Sequence, residues 1–234
     1  MTPIDKPPRG LFVTGTDTDV GKSYVAAIIA RALVAQGRRV GAYKPAASGC
    51  RRDSAGGELV SDDALALWQA AGCPETCERV CPQRFAAPLA PHLAARAEGR
   101  AIDDRLIGTG FDFWRERSEV VVVEGAGGLF SPLSESRLNI DVASEFGLPL
   151  LIVAANRLGT IHAALATVVA ARAHSPALPI AGLVLNDATP NVDDASRATN
   201  AAELRRLLEP YDVPLRAAVE FGRREFVDTA WILA

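Results

Sequence analysis

Gly21, Lys22 and Ser23 close a loop that opens at Gly15, within the segment Leu11–Ser23, LFVTGTDTDVGKS. Backbone N–H groups in such a loop, and at the start of the helix after it, point at anionic oxygens. A lysine there brings a mobile positive charge to the β- and γ-phosphates of a nucleotide, and the serine hydroxyl is a ligand for Mg²⁺. The chemistry is therefore phosphate binding. Five residues separate Gly15 from Gly21, where the common phosphate loop has four. The loop is also unusually polar, with Thr14, Thr16, Asp17, Thr18 and Asp19. The bland alternative is a turn that happens to contain Gly-Lys-Ser. The apolar strand before the loop and the helical pattern after it favour the phosphate loop.

Further polar residues follow other apolar runs. Lys44 ends Gly41-Ala42-Tyr43-Lys44-Pro45, with Ser48 close behind. A second lysine at the loop's mouth can stabilise charge on a transferring phosphoryl group, or it can be a solvated strand end. Glu124 directly follows a run of valines and precedes Gly125-Ala126-Gly127-Gly128. An acid so placed is the usual shape of a metal-positioning carboxylate, and the glycines allow backbone to approach a ligand. The alternative is a charged strand cap on a flexible turn. Asp62 and Asp63 follow Ser61, where ordinary helix capping by Ser61 or Asp62, with acids in the first turn, is by itself the favoured reading. Asn186-Asp187 ends another strand. An asparagine there can pair with a base edge, or the pair can be a turn. The turn Asn156–Thr160 leads into a helix start that could hold a carboxylate or be ordinary capping.

The elements that must position these residues alternate. Strands are expected at Leu11–Thr14, Val40–Tyr43, Glu119–Val123, Leu148–Ala154 and Ile180–Leu185. Helices are expected at Ser23–Gln36, Asp62–Ala71, Leu89–Glu98, Thr160–Ala173 and Ala195–Leu208. Such alternation implies an α/β fold: a doubly wound, mostly parallel sheet with helices on both faces. Ligands then gather at the carboxyl ends of the strands, where the polar residues lie. The 234 residues suit one domain, 1–234, with residues 1–10 a loose lead-in, and 49% hydrophobic content supplies a full core. The stretch Ala46–Ser61 reads as an active-site loop.

Net charge is −3, which offers no basic field for nucleic acid. No apolar run is long enough to span a bilayer, and the N-terminus lacks a secretory core, so the expected location is cytoplasmic. Cys50, Cys73, Cys77 and Cys81 lack paired metal spacing and read as reduced, partly buried thiols. His92, His162 and His174 show no metal spacing, and no Ser/His/Asp arrangement with a nucleophile elbow is present.

Taken together, the segments Val13–Ser23, Gly41–Gly49, Ser61–Leu67, Ala87–Leu93, Val123–Gly128 and Leu185–Asp187 resemble the dethiobiotin synthetase family, with a phosphate-loop NTPase fold. The longer loop is that family's own form. The resemblance implies that Asp19, Val20, Gly21, Lys22, Ser23 and Tyr24 wrap the ATP phosphates, and that Ser23, Asp63 and Glu124 hold Mg²⁺. Asp63, rather than Asp62, matches the metal- and ATP-contacting acid. Gly125, Ala126 and Gly127 form the loop beside Glu124. Lys44 matches the active-site lysine and joins Lys22 in catalysis. Thr18, Lys44 and Ser48 match substrate positions, and Asn186 and Asp187 the adenine side.

The implied substrates are 7,8-diaminononanoate, CO₂ or bicarbonate, and ATP. The implied assembly is a homodimer whose Leu158–Ile161 helix start faces the substrate carboxylate in the partner subunit, with no nucleic-acid or membrane partner. The resemblance weakens at Pro214–Phe221, where Ala217 and Glu220 stand in place of Gly and Pro near the base, and it has no match over Gly222–Ala234. A nucleotide-switched partitioning ATPase is the alternative, but such proteins carry an extra lysine early in the loop, and positions 14 to 20 contain none. A non-catalytic nucleotide-binding module is a further alternative, disfavoured by Lys22, Ser23 and Glu124.

Overall fold

The computed structural model describes residues 9–53, 57–190, 193–225 and 228–233. The lead-in expected for the first residues lies largely outside them. Six strands form the central sheet: β1 (Gly10–Gly15), β2 (Val40–Tyr43), β3 (Val120–Gly128), β4 (Leu150–Ala155), β5 (Ile180–Asn186) and β6 (Leu215–Val219). Their spatial order is β6-β5-β4-β1-β3-β2, and every pairing is parallel. β1 and β4 are buried throughout, which is why they read as continuous apolar runs rather than alternating ones.

The principal helices are α1 (Lys22–Ala35), α2 (Asp62–Ala70), α3 (Pro91–Ala97), α4 (Asp104–Arg117), α5 (Asn139–Phe146), α6 (Thr160–His174) and α7 (Arg197–Leu208). They cover both faces of the sheet. α1 packs on β1, β2 and β3, while α4 packs on β2 and β3. Side chains alternate along β2, so Gly41 and Tyr43 share the face turned to α4. A Cβ on Gly41 would come 2.5 Å from the Ser118 hydroxyl. The Tyr43 hydroxyl donates to the Ile107 carbonyl oxygen at 2.9 Å, and the Phe111 and Phe146 rings stack beneath it at 4.0 Å.

The structure corrects the sequence reading in several places. α4, α5 and β6 were not expected. In α4 the buried Ile107, Phe111 and Trp114 keep helical spacing, but Gly108 and Gly110 dilute the helical signal. The strand expected to stop at Val123 continues to Gly128, so Gly125, Ala126 and Gly127 belong to β3 and not to a loop. Its pairing with β1 carries on past the valines, Val13 opposite Glu124 and Gly15 opposite Gly128, with a register shift between. α3 starts at Pro91 rather than Leu89, with the proline in the first turn where its missing N–H costs nothing. Within Ala46–Ser61, read as an active-site loop, Ala46–Ala47 pairs parallel with Gln83–Arg84 and Arg51–Arg52 pairs antiparallel with Leu59–Val60, so the described part of that stretch is braced by two short pairings.

Candidate active site

The carboxyl ends of β1, β2, β3 and β5 open onto one cleft of about 540 Å³. At its floor is the phosphate loop. Asp19 (φ 54°) and Gly21 (φ 90°) both take left-handed backbone, which lets successive N–H groups turn inward. Gly21 tolerates no side chain: a Cβ would lie 2.1 Å from the Asn186 Nδ2. That nitrogen donates to the Val20 carbonyl oxygen at 3.0 Å, so β5 clamps the loop from behind. The Lys22 ammonium donates to the Asp17 carbonyl oxygen at 2.9 Å across the loop. Burial pulls the Lys22 pKa down, and Lys44 adds to this against the opposing Glu124 carboxylate.

Lys44 stands at the end of β2, its N–H fixed to the Val80 carbonyl oxygen at 2.8 Å. The side chain is almost wholly buried and its ammonium lies 2.6 Å from Glu124 Oε1 and 3.3 Å from Asp63 Oδ2. Ser23 Oγ donates to the same Glu124 oxygen at 2.6 Å. Burial works against the Lys44 charge, but the two carboxylates outweigh it and hold its pKa above the ordinary lysine value. Burial likewise works against the Asp63 charge, and the Lys44 ammonium and Ser23 hydroxyl overcome it, leaving the carboxyl below the usual aspartate range. Asp62, one residue earlier on α2, points outward to Arg51 at 2.8 Å. The helix caps on Ser61, whose hydroxyl accepts from the Ala64 N–H, and this sets which acid faces the cleft.

Behind Glu124, the glycine-rich end of β3 is held by Asn139 at the start of α5. Its amide donates to the carbonyl oxygens of Ala126 (2.8 Å), Gly128 (3.0 Å) and Ser131 (3.0 Å) and accepts from the Ala126 N–H. On the other side Asp187 accepts from Asn156, which accepts in turn from Asn200.

Of the residues singled out from the sequence, Thr18, Asp19, Gly21, Lys22, Ser23, Tyr24, Lys44, Ser48, Asp63, Glu124, Gly125, Ala126, Gly127, Asn186 and Asp187 all line the cleft. Val20 does not; its side chain is buried in the core. Sequence reasoning missed Ala47, Ala188, Phe221 and Gly222, which also line it, and Asn139, which shapes it from behind. An aromatic residue before a glycine just past a strand was the available sign for Phe221. Nothing local marks Asn139. The cysteines are free thiols; burial pushes Cys81 up to about 12. Among the described residues, no group of three or more His, Cys, Asp and Glu side chains is arranged to hold a metal ion by itself.

A phosphate loop between β1 and the following helix, with an acid on the adjacent parallel strand β3 facing it, defines a nucleotide-binding protein of the phosphate-loop class. A family model described as AAA domain matches residues 9–222. The signal recognition particle receptor FtsY of Elizabethkingia anophelis shares the fold, with a TM-score of 0.52 at 14% identity over 98% of this chain and 65% of that one. The ATP-dependent dethiobiotin synthetase BioD of Rhodopirellula baltica is 46% identical over 83% of this chain and 78% of its own length. Those of Anaeromyxobacter dehalogenans (47%, over 85% of each chain) and Bacillus subtilis (38%, over 85% and 83%) are similar. The chain belongs to the ATP-dependent dethiobiotin synthetase family.

Proposed function

We propose that this protein makes dethiobiotin, using ATP to join CO₂ to 7,8-diaminononanoate and close the ureido ring. The observation that carries the reading is the Lys44 ammonium set beside Ser23, Asp63 and Glu124, within the cleft that begins at the phosphate loop.

The donor set fits Mg²⁺. It consists of hard oxygens, two carboxylates and a hydroxyl, and Glu124 Oε2 is buried without a hydrogen-bond partner. Mg²⁺ is typically held by one or two carboxylates together with substrate phosphates, so Ser23, Asp63 and Glu124 would hold it. Bound there, it would neutralise charge on the transferring phosphoryl group.

The chain's own residues account for the rest. Lys44 is kept cationic by its two carboxylates, so it acts as a fixed positive charge and not as a base. Such a charge lowers the pKa of a nearby substrate amine, favouring the neutral form that attacks CO₂, and then stabilises the resulting carbamate anion. A carbamate oxygen attacks the γ-phosphorus and ADP departs. Lys22 and the loop N–H groups take up the developing charge. The second amine attacks the activated carbonyl carbon, phosphate leaves, and the ring is closed. No covalent enzyme intermediate is needed.

In this reading the chain is one catalytic unit that works in the cytoplasm as a homodimer. Leu158, which precedes α6, is 82% exposed, and the buried Thr160 hydroxyl at that helix start has no hydrogen-bond partner. Both suit a site completed across a subunit boundary. The test is phosphate release from MgATP with and without 7,8-diaminononanoate and bicarbonate, with the product identified by mass. Release that depends on the diamine and yields the cyclic urea is expected. Release indifferent to the diamine would overturn the reading.

A further inference from the structure

The strand that carries Glu124 outruns its neighbour. β2 pairs with β3 only as far as Tyr43 opposite Val123, and the Lys44 N–H bonds the Val80 carbonyl oxygen instead. From Glu124 to Gly128, β3 keeps its pairing with β1 alone, through a register shift between Val13 and Gly15. Three of those five residues are glycine. A strand end of that composition has little stiffness of its own, yet it lines the cleft beside Lys44.

Asn139 takes the place of the missing strand. Its Oδ1 accepts from the Ala126 N–H at 3.1 Å while its Nδ2 donates to the Ala126 carbonyl oxygen at 2.8 Å. In a sheet the N–H and C=O of a strand residue are paired together in this way by a neighbouring strand. The same Nδ2 donates to the Gly128 carbonyl oxygen at 3.0 Å. Asn139 is wholly buried, and the helix start that carries it is fixed in turn. The Asn139 N–H donates to the Ser131 carbonyl oxygen at 3.2 Å, and the Ile140 N–H to that of Leu129 at 3.1 Å. The fit against β3 leaves no slack. A Cβ on Gly125 would lie 2.6 Å from the Asn139 Oδ1 and 3.0 Å from the Phe12 ring. Position 125 is therefore glycine because the Asn139 amide occupies its side-chain space. Glu124, whose buried Oε2 has no hydrogen-bond partner, sits between the last doubly paired residue and this clamp.

We propose that Asn139 is a positioning residue for the metal: it stands in for a strand beside β3 and thereby holds Glu124 where Mg²⁺ meets it. Asn139 does not line the cleft and acts through the backbone of Gly125–Gly128. The proposal rests on the ATP and Mg²⁺ reading of the cleft.

Equilibrium binding of β,γ-imido-ATP to the full chain, in chelator and across a Mg²⁺ titration, tests it. The variants are Asn139→Ala, Asn139→Asp, Gly125→Ala and, as a control for lost stability, Leu208→Ala, a buried position on α7, which packs on β6 and not on β3. Residues that orient a metal's ligands typically contribute about 10–100-fold in metal affinity. The Mg²⁺ concentration that half-saturates the gain in analogue affinity should rise about tenfold or more in Asn139→Ala, with the affinity in chelator unchanged. Gly125→Ala, which displaces the amide, should do the same. The double variant should be no worse than Gly125→Ala alone, because the clamp is already lost. Leu208→Ala should melt below wild type and keep the wild-type Mg²⁺ titration. If Asn139→Ala loses its fold, Asn139→Asp, of equal size, keeps an acceptor for the Ala126 N–H, loses the donors, and should show the same rise. An unchanged Mg²⁺ titration in the folded variants overturns the proposal and leaves the ATP reading intact. An equal loss of affinity in chelator also overturns it, since the effect would then lie in the phosphate loop. A wild-type protein whose analogue binding ignores Mg²⁺ overturns the proposal and the metal reading together, and one that binds no analogue overturns the ATP reading as well.

Discussion

Replacing Lys44 by Met keeps the length of the side chain and removes its charge. Glu124, 1% exposed, would keep only the Ser23 hydroxyl on Oε1 and nothing on Oε2. Breaking one side of a buried ion pair costs about 3–5 kcal/mol. For a chain of this size each kcal/mol is worth about 2–4 °C. The variant should therefore melt about 6–20 °C below wild type at pH 7. Millimolar Mg²⁺ should raise the melting temperature of the variant more than that of wild type, since a divalent cation can take the place left between Asp63 and Glu124. Turnover should fall by about 10²-fold or more, as for loss of one electrostatic donor. Thermal unfolding at pH 7, with Mg²⁺ and with chelator, is the assay. A variant that melts with wild type would refute the claim that Lys44 compensates the buried Glu124 carboxylate. Near-normal turnover would remove Lys44 from the mechanism.

Asp63→Ala should reduce turnover far more than Asp62→Ala, since only Asp63 faces Lys44 and Asp62 is an exposed partner of Arg51; steady-state rates of the two would show it, and the reverse order would mean the wrong acid has been placed at the metal. Because the folded Asp63 pKa is depressed, its stabilisation is present above the unfolded value of about 3.9 and is lost as pH falls through the folded value. Asp63→Asn should accordingly flatten the acid limb of a melting-temperature profile taken from pH 6 to pH 2, and an unaltered limb would count against the pairing. Gly21→Ala should cost about 1–3 kcal/mol in urea unfolding and weaken ATP binding, since it adds left-handed strain and drives a Cβ into the Asn186 amide. Gly110→Ala places a Cβ 2.4 Å from the Tyr43 hydroxyl, so the same unfolding experiment should show about 1–3 kcal/mol of overpacking with nucleotide affinity unchanged.

The parts of the site legible in the sequence are those made by contiguous residues. Gly21-Lys22-Ser23 after an apolar strand carries its own geometry, and the valines before Glu124 announce a buried strand leading to an acid, though not that the strand runs on to Gly128. α4 was lost to Gly108 and Gly110, and Gly110 is present because the Tyr43 ring lies against it, a contact with a residue far away in the chain. Asn139 could not be read at all, because its task is to bind carbonyl oxygens 11 and 13 residues away on a strand end that looked like a turn, and that of Ser131 just beyond it.

By itself, then, the sequence determined that a phosphate loop joins a buried parallel strand to a helix, because strand, loop and helix start are short-range choices of the backbone. It also determined that polar residues cluster at strand ends. Only the tertiary structure decided which of them meet. Lys44 and Glu124 stand 80 residues apart and Ser23 and Glu124 stand 101 apart; they converge because β3 is paired in register with β2 on one side and β1 on the other. That Asp63 rather than Asp62 meets Lys44 likewise depends on where α2 packs, since Lys44 and Asp63 are brought together from separate elements.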